Sequence, residues 1–149
     1  LVLAGQDRLP QRDELASLLD ESGIGDRVVR LPFVAEALLP ALYRGAELTL
    51  YPSAYEGFGL PPLESLAAGT LPVITPGQTL AALWPEYPYL APFAAGAFVA
   101  TVQRALDDPE RAAIAARGRE IVAGLSWRES AGVLAGLVAE LLPRLGGRP

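Results

Sequence analysis

The chain contains no cysteine and no histidine among its 149 residues. The lack of cysteine excludes disulfides and thiolate metal sites. The lack of histidine removes the commonest general base and the commonest zinc ligand. Methionine is absent as well, and the chain starts at Leu1. Because translation starts with methionine, we expect a fragment or a processed piece, in which a signal peptide would not be seen.

Basic charge and long apolar runs are also scarce. The net charge is -5 and no run of Lys or Arg occurs, which argues against a nucleic-acid partner because neutralising phosphates needs a basic face. A local basic pocket for one small anion is still compatible with this charge. The longest apolar run, 89–100, contains Pro92 and is shorter than the roughly 18 residues of a membrane span. We therefore expect no transmembrane segment.

What is present is typical of a soluble globular domain, with 51% hydrophobic and 19% charged residues. Short apolar runs predict strands over 1–5, 28–31, 48–51 and 72–75. Helical spacing and glycine or proline breaks predict helices over 10–22, 36–44 and 61–68. Beyond these we expect a helical turn at 79–83, an edge strand at 87–90, helices over 93–106, 109–123 and 126–142, and a fraying tail. This alternation predicts one α/β domain, 1–149, with a parallel sheet flanked by helices.

The loop after the third strand, 52–60, carries the clearest functional signal, because open parallel sheets bind ligands at the carboxyl ends of their strands. Gly57 and Gly59 flank Phe58 and lack the Cβ that keeps a ligand away from the backbone. The loop leads into a helix N-terminus, where the dipole favours an anion. The available N–H donors are those of Gly57, Phe58, Gly59, Leu60 and Leu63. Alternatively, the glycines form only a tight turn around a buried aromatic plug.

Two carboxylates accompany this loop. Glu56 lies within the loop and Glu64 in the first turn of the helix, so both can point into one cleft. A carboxylate accepts two hydrogen bonds and therefore suits a vicinal diol. Glu64 is the natural ligand for a ribose, and Glu56 could hold hydroxyls of a sugar beyond the phosphates. The alternatives are that the helix dipole alone favours Glu64 and that Glu56 is a solvated turn residue.

Glu56 and Glu64 enclose seven residues in the block Glu56-Gly57-Phe58-Gly59-Leu60-Pro61, followed by Leu63-Glu64-Ser65. This block resembles the signature of retaining glycosyltransferases of the GT-B fold, the glycosyltransferase group 1 family. The segments 29–34 and 39–46 resemble the strand, loop and helix that precede this signature, and Ser126-Trp127 is similar to the family's usual pair. The likeness covers nearly the whole chain.

The resemblance implies a Rossmann-like, donor-binding C-terminal half of a GT-B enzyme, truncated at its N-terminal edge and lacking its N-terminal acceptor domain. In that case Glu64 would hold the ribose hydroxyls, and Glu56 would contact the donor sugar beside the anomeric carbon as the catalytic residue. The sugar and diphosphate would be bound by Gly57, Phe58, Gly59 and Leu60. The base would be bound near Pro32, Phe33 and Val34.

The resemblance also implies a reaction. A hexose would move from a GDP- or UDP-linked donor to the hydroxyl of a carbohydrate or lipid-linked acceptor with retention, as in polysaccharide or glycoconjugate synthesis. Such enzymes usually need no metal or other cofactor, in keeping with the lack of an Asp-x-Asp sequence. We expect a cytoplasmic location, which can be peripheral to the inner face of the membrane.

The chain departs from the family at several points. The family places a phosphate-clamping Arg and Lys before the position of Leu1, so we expect this chain alone to be inactive. Pro32 replaces a usual Gly, the segment 69–72 is one residue longer, and 77–93 does not reproduce the usual sequence. Two alternatives are a GT-B sugar-nucleotide epimerase or hydrolase, and a non-catalytic nucleotide-sugar-binding module.

Overall fold

Parallel strands alternating with helices build the chain, as a computed structural model describes it for residues 1–5 and 12–145. The start of the predicted first helix and the last residues of the predicted tail lie outside the described residues. The elements, in order, are β1 (Val2–Ala4), α1 (Arg12–Glu21), β2 (Val29–Leu31), α2 (Leu39–Arg44), β3 (Thr49–Tyr51), α3 (Leu60–Ala68), β4 (Pro72–Ile74), α4 (Thr79–Leu83), α5 (Ala95–Asp107), α6 (Arg111–Ala123) and α7 (Trp127–Leu145). The predicted α/β class with parallel strands is confirmed.

The chain divides into two compact units, Leu1–Leu42 and Tyr43–Pro149. In the first unit β1 and β2 pair in parallel, with Leu3 opposite Arg30. In the second unit β3 and β4 pair in parallel, with Tyr51 opposite Ile74. The hydrogen bonds among the described residues thus join the strands as two pairs.

The predicted edge strand at 87–90 is wrong in extent. Leu90 forms a single parallel bridge to Ile74, and the residues before it form turns. Backbone hydrogen bonds join Ile74 to Tyr89 and Ala91 around this bridge. Side chains add to them, because the Tyr87 hydroxyl donates to the Pro72 carbonyl at 2.5 Å and the Tyr89 hydroxyl donates to Asp108 at 2.9 Å. Both tyrosines are buried, so this segment is a turn anchored in the core.

The hydrophobic core of the described chain lies in the second unit, on the inner face of α3. Its members share an exposed fraction of 9% or less: Leu63, Leu66, Leu71, Val73, Ile74, Leu80, Trp84, Tyr87, Tyr89, Ala91, Ala105 and Val122. Helix α3 packs closely against α6 at Gly118, where an added Cβ would lie 2.6 Å from Cδ2 of Leu66. This close approach fixes α3, and with it the loop that precedes α3.

The last helix, α7, leaves its apolar stripe exposed. The Ser126 hydroxyl accepts the Glu129 N–H at 3.4 Å, as expected for an N-cap. The predicted stripe of Trp127, Leu134, Leu137, Val138 and Leu141 is between 47% and 82% exposed. By length and composition one stretch, Arg111–Leu142, contains an apolar window that could cross a membrane. Helices of soluble proteins meet the same criterion, so this stretch does not establish a span.

We predict opposite effects of alanine at two helical glycines. Gly118→Ala should lower the free energy of unfolding by about 1–3 kcal/mol, because the new methyl group overpacks the contact with Leu66 and Trp84. Gly132→Ala on α7 meets no atom within 4 Å and should raise stability by up to about 1 kcal/mol through helix propensity. Urea unfolding of both variants measures the difference. Equal stability of the two variants would contradict the described packing of α3 on α6.

Candidate functional site

The candidate site is built on the turn that joins β3 to α3. Gly59 is the N-cap of α3 and has φ 76° and ψ 60°, a left-handed conformation that side-chain-bearing residues rarely adopt. It lets the chain turn into a helix that begins at Leu60, one residue before the predicted start. Pro61 and Pro62 then occupy the first turn, where a missing N–H costs no helical hydrogen bond.

Three of the four residues of the loop at 57–60 are exposed, and Gly59 is buried. Gly57 is exposed, Phe58 is 49% exposed and Leu60 is 44% exposed. The half-exposed ring of Phe58 does not agree with the alternative of a buried aromatic plug. We call residues 57–60 the donor loop. Its position just before the N-terminus of a nine-residue helix is one where peptide N–H groups favour an anion.

Glu56 is held by two hydroxyl groups. The Ser53 hydroxyl donates to Glu56 Oε1 at 2.7 Å, and the Tyr51 hydroxyl also hydrogen-bonds to this carboxylate. The bond from Ser53, followed by that from Tyr51, lowers the pKa of Glu56, because both stabilise the charged form. Glu56 is therefore a positioned carboxylate in the loop that follows β3 and not a freely solvated turn residue.

Glu64 is held in the same way by a tyrosine. The Tyr43 hydroxyl donates to Glu64 Oε2 at 3.0 Å, and Glu64 is exposed. Burial, followed by the charge of Glu64, raises the pKa of Tyr43 well above its usual range. The Tyr43 hydroxyl therefore acts as a hydrogen-bond donor to Glu64.

The two carboxylates and two phenols form one tyrosine–glutamate cluster: Tyr43, Tyr51, Glu56 and Glu64. The pKa of Tyr51 is raised to about 12, first by burial, then by its bond to Glu56 and by the charges of Glu56 and Glu64. The charges of both predicted glutamates thus act on one hydroxyl group, that of Tyr51. The sequence analysis assigned no site role to the tyrosines, although Tyr51 ends a strand at the edge where ligands bind.

The residues that follow β4 hold the loop after β3 through hydrogen bonds to Ser53. The Ser53 carbonyl accepts a short hydrogen bond from the Thr75 hydroxyl and a longer one, 3.5 Å, from Nε2 of Gln78. Parallel pairing of β3 with β4 places Ser53 and Thr75 side by side, each just beyond its strand. The sequence analysis did not single out Ser53, Thr75 or Gln78 as site residues.

The predicted base-binding residues lie in the other unit. Pro32, Phe33 and Val34 directly follow β2, and the Phe33 ring is 75% exposed. Their role in binding a base stays a prediction. Across the described residues, no group of three or more Asp and Glu side chains is arranged to hold a metal ion.

Comparison with known proteins identifies the family. Residues 1–120 match the model of the family described as glycosyl transferases group 1. The chain belongs to this family. The signature around Glu56 and Glu64 therefore lies in a glycosyltransferase domain, although the match does not test the role of either residue.

The most informative relatives are also glycosyltransferases. The chain is 32% identical to 2-deoxystreptamine glucosyltransferase of Streptomyces kanamyceticus over 79% of this chain and 30% of that protein. It is 47% identical to D-inositol 3-phosphate glycosyltransferase of Mycolicibacterium smegmatis over 44% of this chain and 15% of that protein. Among solved structures, it matches the GT-B enzyme sucrose-phosphate synthase of Thermosynechococcus elongatus with a TM-score of 0.82 and 30% identity, over 97% of this chain and 39% of that one. The chain thus spans less than half the length of the relatives it matches.

We predict that Ser53→Ala raises the pKa of Glu56 toward its ordinary value, because the largest stabilising contact of the carboxylate is lost. The stability that this contact contributes is present above the pKa of the unfolded chain and disappears as the pH falls through the lower pKa of the folded state. A carboxyl NMR titration of Glu56 in this glycosyltransferase chain measures the shift. Ser130→Ala, which removes an exposed hydroxyl on α7, is the matched control and should leave the titration unchanged.

Proposed function

We propose that this chain is the donor-binding half of a retaining glycosyltransferase that moves a hexose from a nucleotide diphosphate sugar to an acceptor hydroxyl. The observation that carries the proposal is the tyrosine–glutamate cluster beside the donor loop, in a chain of the group 1 glycosyltransferase family. Two positioned carboxylates suit the hydroxyls of two sugars, and the N–H groups between them suit a diphosphate.

The diphosphate would lie on the donor loop. Gly57 and Gly59 carry no Cβ, so the backbone of the loop can approach a ligand closely. The N-terminus of α3 adds the positive end of its dipole. In the bound state the N–H groups of Gly57, Phe58, Gly59 and Leu60 would stabilise the leaving diphosphate, where negative charge increases as the sugar departs.

The ribose would bind at Glu64. Its Oε2 is held by Tyr43, which fixes the direction of the carboxylate, while the exposed side chain remains accessible to a vicinal diol. A carboxylate fixed in this way accepts hydroxyl hydrogen bonds without first losing side-chain freedom, which favours binding.

Glu56 would act on the transferred sugar. Its lowered pKa keeps it ionised at neutral pH, so it serves as a negative charge and not as an acid. Cleavage of a glycosidic bond passes through an oxocarbenium-like transition state with positive charge at the anomeric carbon. A carboxylate beside that carbon stabilises this charge.

The remaining parts of the proposal concern the longer enzyme. Because the chain covers 39% of the matched synthase, we propose that an N-terminal GT-B domain binds the carbohydrate or lipid-linked acceptor, and that the phosphate-clamping Arg and Lys belong to the part of the donor-binding domain that precedes Leu1. We further propose that transfer needs no metal or other cofactor, and that the enzyme works in the cytoplasm.

We predict that Glu64→Ala weakens binding of a nucleotide sugar about ten- to a hundredfold, because hydrogen bonds to a charged group are lost. Calorimetric titration of the 149-residue chain with UDP-glucose and GDP-mannose measures the dissociation constant. Glu120→Ala, on the exposed face of α6, removes a carboxylate elsewhere and should change nothing. Equal affinity of the native chain and the Glu64 variant would contradict the ribose assignment.

The alternatives differ from this proposal in what the longer enzyme does with its donor. An epimerase or hydrolase consumes the nucleotide sugar without an acceptor. A binding module retains the donor and transfers nothing. A retaining transferase requires the acceptor and gives a product with the anomeric configuration of the donor, which proton NMR of the product reports directly.

A further inference from the structure

Gln78 is a buried polar side chain beneath the donor loop. It is 5% exposed and directly precedes α4. At this N-cap position its side chain makes no capping hydrogen bond and instead lies against the loop that follows β3. It belongs to the segment 77–93, where the chain departs from the usual family sequence.

The amide nitrogen of Gln78 has two hydrogen-bond acceptors in the chain. Nε2 donates to Thr75 Oγ1 at 2.9 Å and to the Ser53 carbonyl at 3.5 Å. The Thr75 hydroxyl uses its own proton for the same carbonyl. Both partners therefore present lone pairs to Gln78, which fixes the orientation of its amide with the nitrogen toward them.

The amide oxygen points the other way and has no partner. Oε1 of Gln78 is buried without a hydrogen bond to any part of the chain that the structure describes. It lies 3.4 Å from the position that a Cβ of Gly59 would occupy, and the Cβ of Glu56 lies 3.9 Å from the same position. A buried acceptor without a donor carries the full cost of its desolvation, so its retention beneath the donor loop calls for a functional reason.

The geometry of this oxygen restricts what can pair with it. Because Oε1 has essentially no solvent-accessible surface, a ligand cannot reach it directly. Oε1 lies next to Gly59 of the donor loop. The peptide N–H groups of this loop are therefore the candidate donors for it. We infer that Gln78 is a positioning residue for the donor loop, whose free oxygen accepts a loop N–H when the loop closes around a diphosphate.

This inference rests on the proposed function, since it assigns the loop a diphosphate ligand. Gln78 would join two parts of the site. Through Nε2 it holds the Ser53 carbonyl, and the Ser53 hydroxyl in turn holds Glu56. Through Oε1 it would hold the turn at Gly59. Gln78 would thereby set the distance between the carboxylate beside the sugar and the N–H groups beside the phosphates.

The test compares Gln78→Met with the native 149-residue chain. Methionine has a side chain of similar length but no polar amide. Because the buried oxygen that it removes is unpaired, Tm should stay within about 3 °C of the native value. The affinity for UDP-glucose or GDP-mannose should nevertheless fall about three- to tenfold. In the ligand-free chain, amide hydrogen exchange at 57–60 should become faster, because the bond from Nε2 to the Ser53 carbonyl is lost. Gln103→Met, at an exposed position of α5, is the matched control and should change none of these quantities.

Two results would overturn the inference. Unchanged exchange at 57–60 together with unchanged donor affinity would show that Gln78 does not position the loop. A large fall in Tm with faster exchange throughout β3 and β4 would show that Gln78 acts only in packing.

A second variant keeps the test decisive if Gln78→Met does not fold. Gln78→Asn retains the amide but shortens the side chain by one methylene. It should produce the same loss of donor affinity and the same faster exchange at 57–60. Native affinity and native exchange in this variant would contradict the inference. If the native chain binds no nucleotide sugar, the proposed function fails, and the exchange rates of 57–60 alone decide the role of Gln78.

Discussion

The left-handed turn at Gly59 is the constraint on which the candidate site depends. With φ 76°, it ends the loop and starts α3 within one residue. The position of a Cβ there would lie between Gln78 Oε1, at 3.4 Å, and the Cβ of Glu56, at 3.9 Å. A side chain would make ordinary contacts there, so the left-handed backbone is what favours glycine at this position. The turn decides which residues of α3 face the core and which face the site.

Helix α3 has one face in the core and a second, exposed face that carries a residue of the candidate site. Leu63 and Leu66 enter the core, and Leu66 meets α6 at Gly118. Glu64 lies on the exposed face, where its partner is Tyr43. Because the helix is only nine residues long, a rotation that improved the packing of Leu66 would move Glu64 as well. The close contact at Gly118 therefore also fixes the direction of the carboxylate.

Local signals predicted the elements around this turn, and contacts between distant residues account for what sequence reasoning missed. Glycine and proline mark the ends of α3, and its start was predicted within one residue. By contrast, an edge strand was predicted at 87–90, yet the segment forms turns and the Tyr87 hydroxyl has its partner at Pro72, far away in sequence. The same holds at the site. Glu56 and Glu64 stand out in a local pattern, whereas Tyr43 and Gln78 gain their roles only when the chain brings them to Glu64 and Gly59.

The electrostatics of the tyrosine–glutamate cluster explain how one site can hold two carboxylates. Phenols whose pKa is raised remain protonated and donate hydrogen bonds to Glu56 and Glu64 without adding charge. At Glu56 the bonds from Ser53 and Tyr51 lower the pKa of the carboxyl group, because they stabilise its charged form. In the proposed function a diphosphate would add further negative charge, so the carboxylates would face hydroxyl groups while the peptide N–H groups would face the phosphates. The donor loop lies between Glu56 and Glu64 in the chain, which is the order that a sugar, a diphosphate and a ribose have in a nucleotide sugar.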